Sequence, residues 1–170
     1  MFFFIILFKS SKISSTMSQS AGLAVKCREP RKPISYLMVW NTERKSWEFP
    51  GGRRNGRKEN PFKTAKRETE EETGINLDSA TPRFTIANGD GSHLIYVVDF
   101  DFWCTERDSG TSMRHKTFKE RDSKKETSDF GFVVKEGSMF IVKTFSQNHE
   151  KPHSKIINKC TRQTLSQLHF

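Results

Sequence analysis

The chain has 170 residues and a formal net charge of +9, and 29% of its residues are charged. This length corresponds to about one domain with a sizeable core, and the charged fraction is ordinary for a soluble protein. The basic balance favours an anionic partner, which could be a nucleotide, a polyphosphate or a nucleic acid, and does not choose among them.

The cysteines and histidines exclude two kinds of structural site. Cys27, Cys104 and Cys160 are an odd number of cysteines, lie far apart and include no CxxC motif. We therefore expect free thiols in a reducing compartment and predict a cytoplasmic protein. The five histidines show no zinc-site spacing, so no zinc site is expected.

The N-terminal residues differ in composition from the rest of the chain. Residues 2–8 form a seven-residue apolar run, which is too short to span a bilayer and lacks the preceding basic flank of a signal peptide. A more ordinary opening begins at Met17, so the start of the protein could be Met1 or Met17. We expect residues 1–19 to be an N-terminal extension that is disordered or outside the fold, and residues 20–170 to form the domain. Organelle targeting by residues 1–16 is the alternative.

Two strands are predicted before the central stretch of the chain. Residues 20–27 are predicted to form the first strand, and residues 34–40, ISYLMVW, are a continuous apolar run typical of a buried strand. Trp40 and Trp47 are interpreted as core aromatic residues, with stacking on a nucleic-acid base as the alternative.

Residues 47–75 contain the pattern that carries chemistry. A glycine pair, Gly51-Gly52, comes after a short strand and lets backbone N–H groups approach an anionic ligand closely. A basic loop at residues 53–58 comes next. The combination of a glycine turn, a basic loop and an acidic helix after it predicts a phosphate site that contains a metal ion.

The acidic helix has clear ends and an unusual charge pattern. Asn60 is a good N-cap, Pro61 suits the first helical position, and Gly74 supplies a left-handed C-cap. Four glutamates fall within residues 68–72. Like charges at i, i+3 and i+4 repel each other and weaken a bare helix, whereas a hard divalent cation between the carboxylates makes the arrangement favourable. The carboxylates expected to share one face are Glu68, Glu71 and Glu72. A solvated acidic surface helix is the alternative.

A hairpin and a long polar segment come after the helix. Residues 83–88 and 93–103 are predicted to pair across a Gly-Asp-Gly turn. His93 is interpreted as a residue that borders this turn. Residues 105–127 are polar and charged, and a loop of that length is usually functional or disordered.

The remaining elements complete a layered fold. Residues 130–134 are predicted to form a strand, residues 139–145 are apolar but ambiguous, and residues 154–168 are predicted to form a closing helix. Strands on both sides of a central helix, together with a terminal helix, suggest a mixed sheet between helices. The closing helix is expected to carry its apolar side on Ile156, Ile157, Cys160 and Leu165.

Residues 52–75 resemble the signature box of the Nudix hydrolases, GX5EX7REUXEEXGU. The spacing fits from Glu59 through Ile75, with Thr69 where an apolar residue is usual, and the upstream WEFPGG matches the family's usual run into the box. Six residues rather than five separate Gly52 from Glu59. We place the extra residue in the loop 53–58, because an insertion in the helix would rotate the carboxylates off their face. The matching positions are Gly52, Glu59, Arg67, Glu68, Glu71, Glu72, Gly74 and Ile75.

The resemblance implies a Nudix-like α/β/α sandwich with a mixed β-sheet and a hydrolase that acts on phosphoric anhydride bonds. It implies that Glu68, Glu71 and Glu72 hold Mg2+, with Mn2+ as an alternative, and that Glu68 helps to deprotonate the attacking water. Arg67 is expected to orient a neighbouring glutamate through a bidentate pair.

The same resemblance also suggests roles for several further residues. Glu59 is a candidate for an outer metal role, and a late loop often supplies a further base or ligand, for which Glu126 is preferred to Glu120 and Glu106. The residues expected to bind the substrate phosphates are Gly51, Gly52 and Arg53.

The sequence indicates less about the substrate than about the reaction. We expect Mg-dependent cleavage of a diphosphate bond in a nucleoside diphosphate linked to another group. The downstream proline typical of ADP-ribose enzymes and the SQPWPFPxS-like array of NADH enzymes are both missing from this sequence. An RNA 5′-end or cap pyrophosphohydrolase and a non-catalytic nucleotide-binding module are the alternatives. The expected partners are therefore a nucleotide-type small molecule, with RNA as an alternative, and no membrane; the oligomeric state stays open.

Overall fold

The computed structural model describes residues 19–28, 31–75, 77–88, 91–100, 127–144 and 156–170. Within these ranges the chain forms eight strands and two helices. Neither of these helices is long and apolar enough to cross a membrane. The strands are β1 (Ser20–Cys27), β2 (Ser35–Asn41), β3 (Ser46–Glu48), β4 (Gly51–Arg53), β5 (Pro82–Ala87), β6 (His93–Phe100), β7 (Thr127–Glu136) and β8 (Met139–Thr144), and the helices are α1 (Pro61–Thr73) and α2 (Lys159–Leu165).

The strands form a mixed sheet. Their order is β5-β6-β1-β2-β7-β8, with β3 beside β2 and β4 beside β1. β1 and β6 run parallel over their full length, with Ser20 opposite His93, and the other described strand pairs are antiparallel. The parallel pair brings the first strand of the fold beside a strand that comes after α1 in the chain.

Two apolar layers cover the two faces of this sheet. Successive side chains of a strand point to opposite faces, so Leu23 belongs to one layer and Ala24 to the other. The first layer includes Ala65 of α1, and the second includes Leu165 of α2. The predicted α/β/α sandwich with a mixed sheet is therefore confirmed.

Most predicted strands are confirmed in the described ranges. The first two strands, the hairpin of β5 with β6 and the strand at residues 130–134 all form. The ambiguous stretch at residues 139–145 forms β8, which pairs with β7 across a turn at Gly137, where φ is 60°. Trp40 and Trp47 are buried core residues with their rings 5.5 Å apart in an edge-to-face arrangement, in agreement with their interpretation as core aromatic residues.

The closing helix is shorter than the sequence predicts. Helix α2 begins at Lys159 rather than at residue 154, because Asn158 is its N-cap and accepts a hydrogen bond from the Cys160 N–H at 2.8 Å. Before this helix, Ile157 forms a bridge with Trp47, whose N–H donates to the Ile156 carbonyl at 2.8 Å. The predicted apolar side was also partly wrong, since Ile156 and Cys160 are exposed.

Two of the three cysteines lie within the described residues. Cys27 is buried and Cys160 is exposed, and neither forms a disulfide with another described residue. Cys104 lies outside the described residues.

Candidate active site

Helix α1 has the ends that its sequence predicts. The Asn60 side chain accepts a hydrogen bond from the Phe62 N–H at 2.8 Å, and Gly74 adopts a left-handed conformation with φ of 73°. Thr69, where an apolar residue is usual, is fully buried, and its hydroxyl donates to the Ala65 carbonyl at 2.8 Å. Because this bond satisfies the hydroxyl within the helix, threonine can face the sheet without a buried polar group left unpaired.

Strand β4 brings two glycines against the acidic side of α1. It pairs antiparallel with β1, with Gly51 opposite Gly22 and Gly52 opposite Ala21. A Cβ atom at Gly51 would collide with the Gly22 and Ala21 backbone, and one at Gly52 would collide with the Glu68 carboxylate. The absence of side chains therefore permits both the strand pairing and the close approach of Glu68.

Glu72 contacts the same strand through a hydrogen bond. The Gly51 N–H donates to Glu72 Oε2 at 2.9 Å. Glu68 and Glu72 are four residues apart on the helix and so lie on one face. The structure thus brings these two predicted carboxylates together at the glycine pair.

Arg67 connects three of the acidic residues. Its guanidinium lies 3.2 Å from Glu59 Oε1, 2.8 Å from Glu68 Oε1 and 3.1 Å from Glu71 Oε2. It also donates to the Arg53 carbonyl at 3.1 Å, which ties the helix to the end of β4. These contacts fit the predicted role of Arg67 in orienting a neighbouring glutamate, although that role itself stays a prediction.

The charges around Arg67 alter the acid strength of Glu59. The hydrogen bond from Arg67 lowers the pKa of Glu59 from 4.5 to about 2, against the opposing effect of burial. Burial would lower the pKa of Arg67, but the hydrogen bond to Glu59 and the charge of Glu68 raise it overall. The pair is therefore fully ionised at neutral pH.

The acidic side chains differ in exposure. The Glu71 side chain is 51% exposed, whereas those of Glu68 and Glu59 are 19% and 12% exposed. In the described ranges, no three His, Cys, Asp or Glu side chains are already gathered at metal-binding distances. Glu68 and Glu71 instead share Arg67, and Glu72 bonds to Gly51.

The donor set nevertheless fits a hard divalent cation. Carboxylate oxygens are the ligands that Mg2+ and Mn2+ prefer. The space beside Gly52, which a Cβ atom would fill, is where the Glu68 carboxylate lies. Glu68 and Glu72 with the more exposed Glu71 are the residues that could hold such an ion.

Two arginines of the basic loop differ in what they contact. Arg54 donates to the Glu59 carbonyl at 2.7 Å and to the Arg57 carbonyl at 2.5 Å, so it closes the loop on itself. The Arg53 side chain lines a cleft next to β4. The predicted late-loop candidates Glu126, Glu120 and Glu106 lie outside the described residues.

The cleft beside Arg53 was not predicted from the sequence. It has a volume of about 670 Å3 and is bounded by β4, by the starts of β1 and β6, and by α2. Its lining includes Ser20 and His93, whose side chains are 2.7 Å apart although they are separated by 73 residues in the chain. The parallel pairing of β1 with β6 creates this neighbourhood, and no local sequence pattern marks it.

Comparison with known proteins identifies the family. The sequence model of the NUDIX domain matches residues 17–133, which is more than half of the chain. The chain belongs to the Nudix family. As a Nudix hydrolase it acts on phosphoric anhydride bonds, and members of the family generally use divalent metal ions and nucleotide-type substrates.

Solved structures of Nudix proteins are similar to this chain at low identity. A C. elegans Ap4A hydrolase in a binary complex is 21% identical over 49% of this chain and 67% of its own, with a TM-score of 0.41. A Nudix hydrolase from M. smegmatis, RenU, is 22% identical over 51% of this chain and 63% of its own, also with a TM-score of 0.41. Likeness at this level carries no information on substrate. Comparison with curated protein sequences gives no match.

Proposed function

We propose that this Nudix hydrolase is a Mg2+-dependent pyrophosphohydrolase that cleaves a diphosphate bond in a nucleoside diphosphate linked to another group. The observation that carries the proposal is the meeting of Glu68 and Glu72 with the glycine pair of β4. Carboxylates beside a glycine pair provide metal ligands and room for a phosphate in one place.

Each residue has a proposed role. Glu68, Glu71 and Glu72 hold Mg2+ or Mn2+, and Glu68 helps to deprotonate the attacking water. A cation bound there would neutralise charge on the phosphoryl oxygens and would lower the pKa of its bound water. Arg67 orients Glu68 and Glu71, with which its guanidinium pairs.

The neighbouring residues bind substrate or support the site. Gly51, Gly52 and Arg53 form the diphosphate site: the glycine pair gives the phosphates room to approach, and Arg53 binds them through its guanidinium. Glu59 supports the site through Arg67, since its carboxylate is hydrogen bonded to that side chain rather than directed to the glycine pair. Glu126 remains a candidate for a further base or ligand from the late loop.

The experiment is a hydrolysis screen of the full chain. Nucleoside diphosphate conjugates, dinucleoside polyphosphates and nucleoside triphosphates are incubated with Mg2+, with Mn2+ and with excess EDTA, and products are separated by chromatography. Reaction in H2-18O with mass spectrometry of the products shows which phosphorus is attacked. Hydrolysis that requires the cation is expected, whereas turnover in EDTA or no turnover on any of these substrates contradicts the proposal.

A matched pair of variants separates the site from general charge effects. Glu68→Gln removes a proposed ligand, and Glu43→Gln removes an exposed glutamate in the turn between β2 and β3. Turnover is expected to fall with the first substitution and to stay unchanged with the second. An equal effect of both would show that net charge, and not the site, determines the rate.

The net charge of +9 favours a second candidate function, removal of a 5′ group from RNA. Capped and 5′-triphosphorylated RNA belong in the same screen, at 50 and 200 mM salt. Preference for RNA, with an affinity that falls steeply with salt, would replace the small-molecule proposal. Binding of nucleotide with no hydrolysis of any substrate would instead indicate a binding module.

We also propose a cytoplasmic location, because an odd number of widely spaced cysteines without a CxxC motif favours thiols in a reducing compartment. A fluorescent fusion of the full chain tests it, and an organellar signal that is lost on removal of residues 1–16 would overturn it.

A further inference from the structure

The cleft shares strand β4 with the acidic face of α1. Gly51 and Gly52 line the cleft, and the same residues contact Glu72 and Glu68. A diphosphate held at the glycine pair would therefore have one of its substituents at the mouth of this cleft. The lining of the cleft then bears directly on which substituent is bound.

Uncharged hydrogen-bonding groups dominate that lining. Arg44 and Glu48 also line the cleft, but they form an ion pair of 2.9 Å and largely neutralise each other. Arg53, at the glycine end, makes no ion pair to another described residue. The polar uncharged residues include Gln19, Ser20, Asn88, Ser92, Gln163 and Gln167.

This chemistry suits a nucleoside better than further phosphates. A polyphosphate running into the cleft would carry several negative charges against one cation, Arg53, that has no ion pair within the described part of the chain. Amide and hydroxyl groups can both donate to and accept from the edges of a base and the hydroxyls of a sugar. Phe49 and Ile95 add an apolar part to the lining, as binding sites for small molecules usually have.

His93 is held within the lining by two hydrogen bonds. Its Nδ1 is 2.7 Å from the Ser20 hydroxyl, and its backbone N–H donates to Asn88 Oδ1 at 3.0 Å. Burial and the charge of Arg44 lower the pKa of His93, against the opposing charge of Glu48, so the ring is neutral at pH 7. Its other ring nitrogen, Nε2, makes no hydrogen bond to another described residue.

We propose that this cleft binds the nucleoside end of the substrate and that His93 is a specificity-determining residue, with Nε2 hydrogen bonding to the nucleoside. The Ser20 hydroxyl holds the ring in place through Nδ1. The proposal rests on the proposed function, because it assigns the organic part of the same substrate.

The test uses ligands that this hydrolase has no bond to cleave. AMP, GMP, CMP and UMP are titrated by calorimetry into the full chain with Mg2+, and inorganic phosphate is titrated as the ligand without a nucleoside. His93→Phe keeps an aromatic ring and removes its nitrogens, and His93→Gln keeps a hydrogen-bonding group. The matched control is His169→Phe, at an exposed histidine that does not line the cleft.

The expected result is a selective loss of nucleoside affinity. His93→Phe should weaken binding of at least one nucleoside monophosphate about tenfold, the effect of one lost hydrogen bond, and should leave phosphate affinity unchanged. His93→Gln should recover part of the loss, and His169→Phe should behave as wild type. Equal weakening of phosphate and nucleotides, or no weakening at all, would overturn the proposal.

A measurement on the unmutated protein tests the proposal even if a variant fails to fold. Addition of the tightest-binding monophosphate should shift the 15N resonance of His93 Nε2 at constant pH, and addition of phosphate alone should not. No shift would overturn the proposal even if His93→Phe unfolds. Failure of the proposed hydrolase function can be distinguished from failure of this proposal, because monophosphate binding is measured without hydrolysis.

Discussion

Replacement of Gly52 by alanine perturbs the contact between β4 and Glu68. A Cβ atom there would lie 2.8 Å from Glu68 Oε1 and closer still to the other carboxylate oxygen and the carboxyl carbon. Real Cβ atoms essentially never lie within 3.0 Å of another heavy atom, so the carboxylate must move. Gly52 is not among the glycines with positive φ, so alanine introduces no backbone strain and the contact alone is tested.

The size of the displacement can be worked out from the contact distances. Ordinary contact begins at 3.4 Å, so Glu68 Oε1 must retreat by 0.6 Å (3.4 minus 2.8), and the nearer atoms by more. A displacement of about 1 Å at a reacting group can cost about a hundredfold in rate. The cost in stability should be near 1 kcal/mol, the low end for overpacking, because a side-chain carboxylate can rotate away. That corresponds to a fall in Tm of roughly 2–4 °C.

Two other glycine substitutions serve as controls for this variant. Gly137→Ala forces alanine to a φ of 60° in the β7–β8 turn, with no atom within 4 Å of the new Cβ, and should cost about 1–2 kcal/mol without affecting turnover. Gly51→Ala meets the backbone of Gly22 and Ala21, which cannot rotate away, and should lower Tm more than Gly52→Ala does. The assay is kcat in excess Mg2+ beside thermal unfolding. Wild-type kcat in Gly52→Ala would refute the reasoning.

Two further substitutions probe the charges of the site. Glu72→Gln can still accept the Gly51 N–H bond, but without the charge that strengthens it, so stability without metal should fall by no more than about 1 kcal/mol. In the same variant kcat should fall about a hundredfold and added Mg2+ should raise Tm less than in wild type; wild-type turnover would remove Glu72 from the site. Because Arg67 lowers the pKa of Glu59 to about 2, the stability that Glu59 adds is complete above its ordinary value of 4.5 and is lost as the pH falls through 2. The free energy of unfolding of wild type and of Glu59→Gln is measured in urea. The difference between the two proteins should be largest at pH 7, smaller at pH 4 and smaller again at pH 3. A difference that does not change with pH would contradict this.

The acidic helix could be predicted because its signals are local. Asn60, Pro61 and Gly74 define its ends through contacts within a few residues of each other. The buried strand β2 could likewise be predicted from one continuous apolar run, which needs no knowledge of its neighbours. Both predictions depend on the chemistry of adjacent residues alone.

The elements that were mispredicted or missed depend on distant partners. The apolar Ile156 and Ile157 look like the first turn of a helix, but that segment pairs with Trp47 instead, more than a hundred residues earlier in the chain. The cleft depends on the parallel pairing that places Ser20 beside His93. The residues proposed for the diphosphate could therefore be chosen from the sequence and those proposed for the nucleoside could not, because only the first lie within one continuous stretch.

The contacts around α1 also bear on whether its acidic face needs a cation in order to fold. Glu68 repels Glu71 and Glu72, and each such pair costs a helix about 0.2–0.5 kcal/mol. Arg67 pairs with Glu68 and Glu71, and the Gly51 N–H bonds to Glu72. A hydrogen bond to a charged group contributes about 1.5–3 kcal/mol, which exceeds the repulsion of the two pairs together. The helix is therefore stable through contacts of this chain alone, so a response of Tm to Mg2+ that is lost in Glu72→Gln would report binding at the site and not rescue of an unfolded helix.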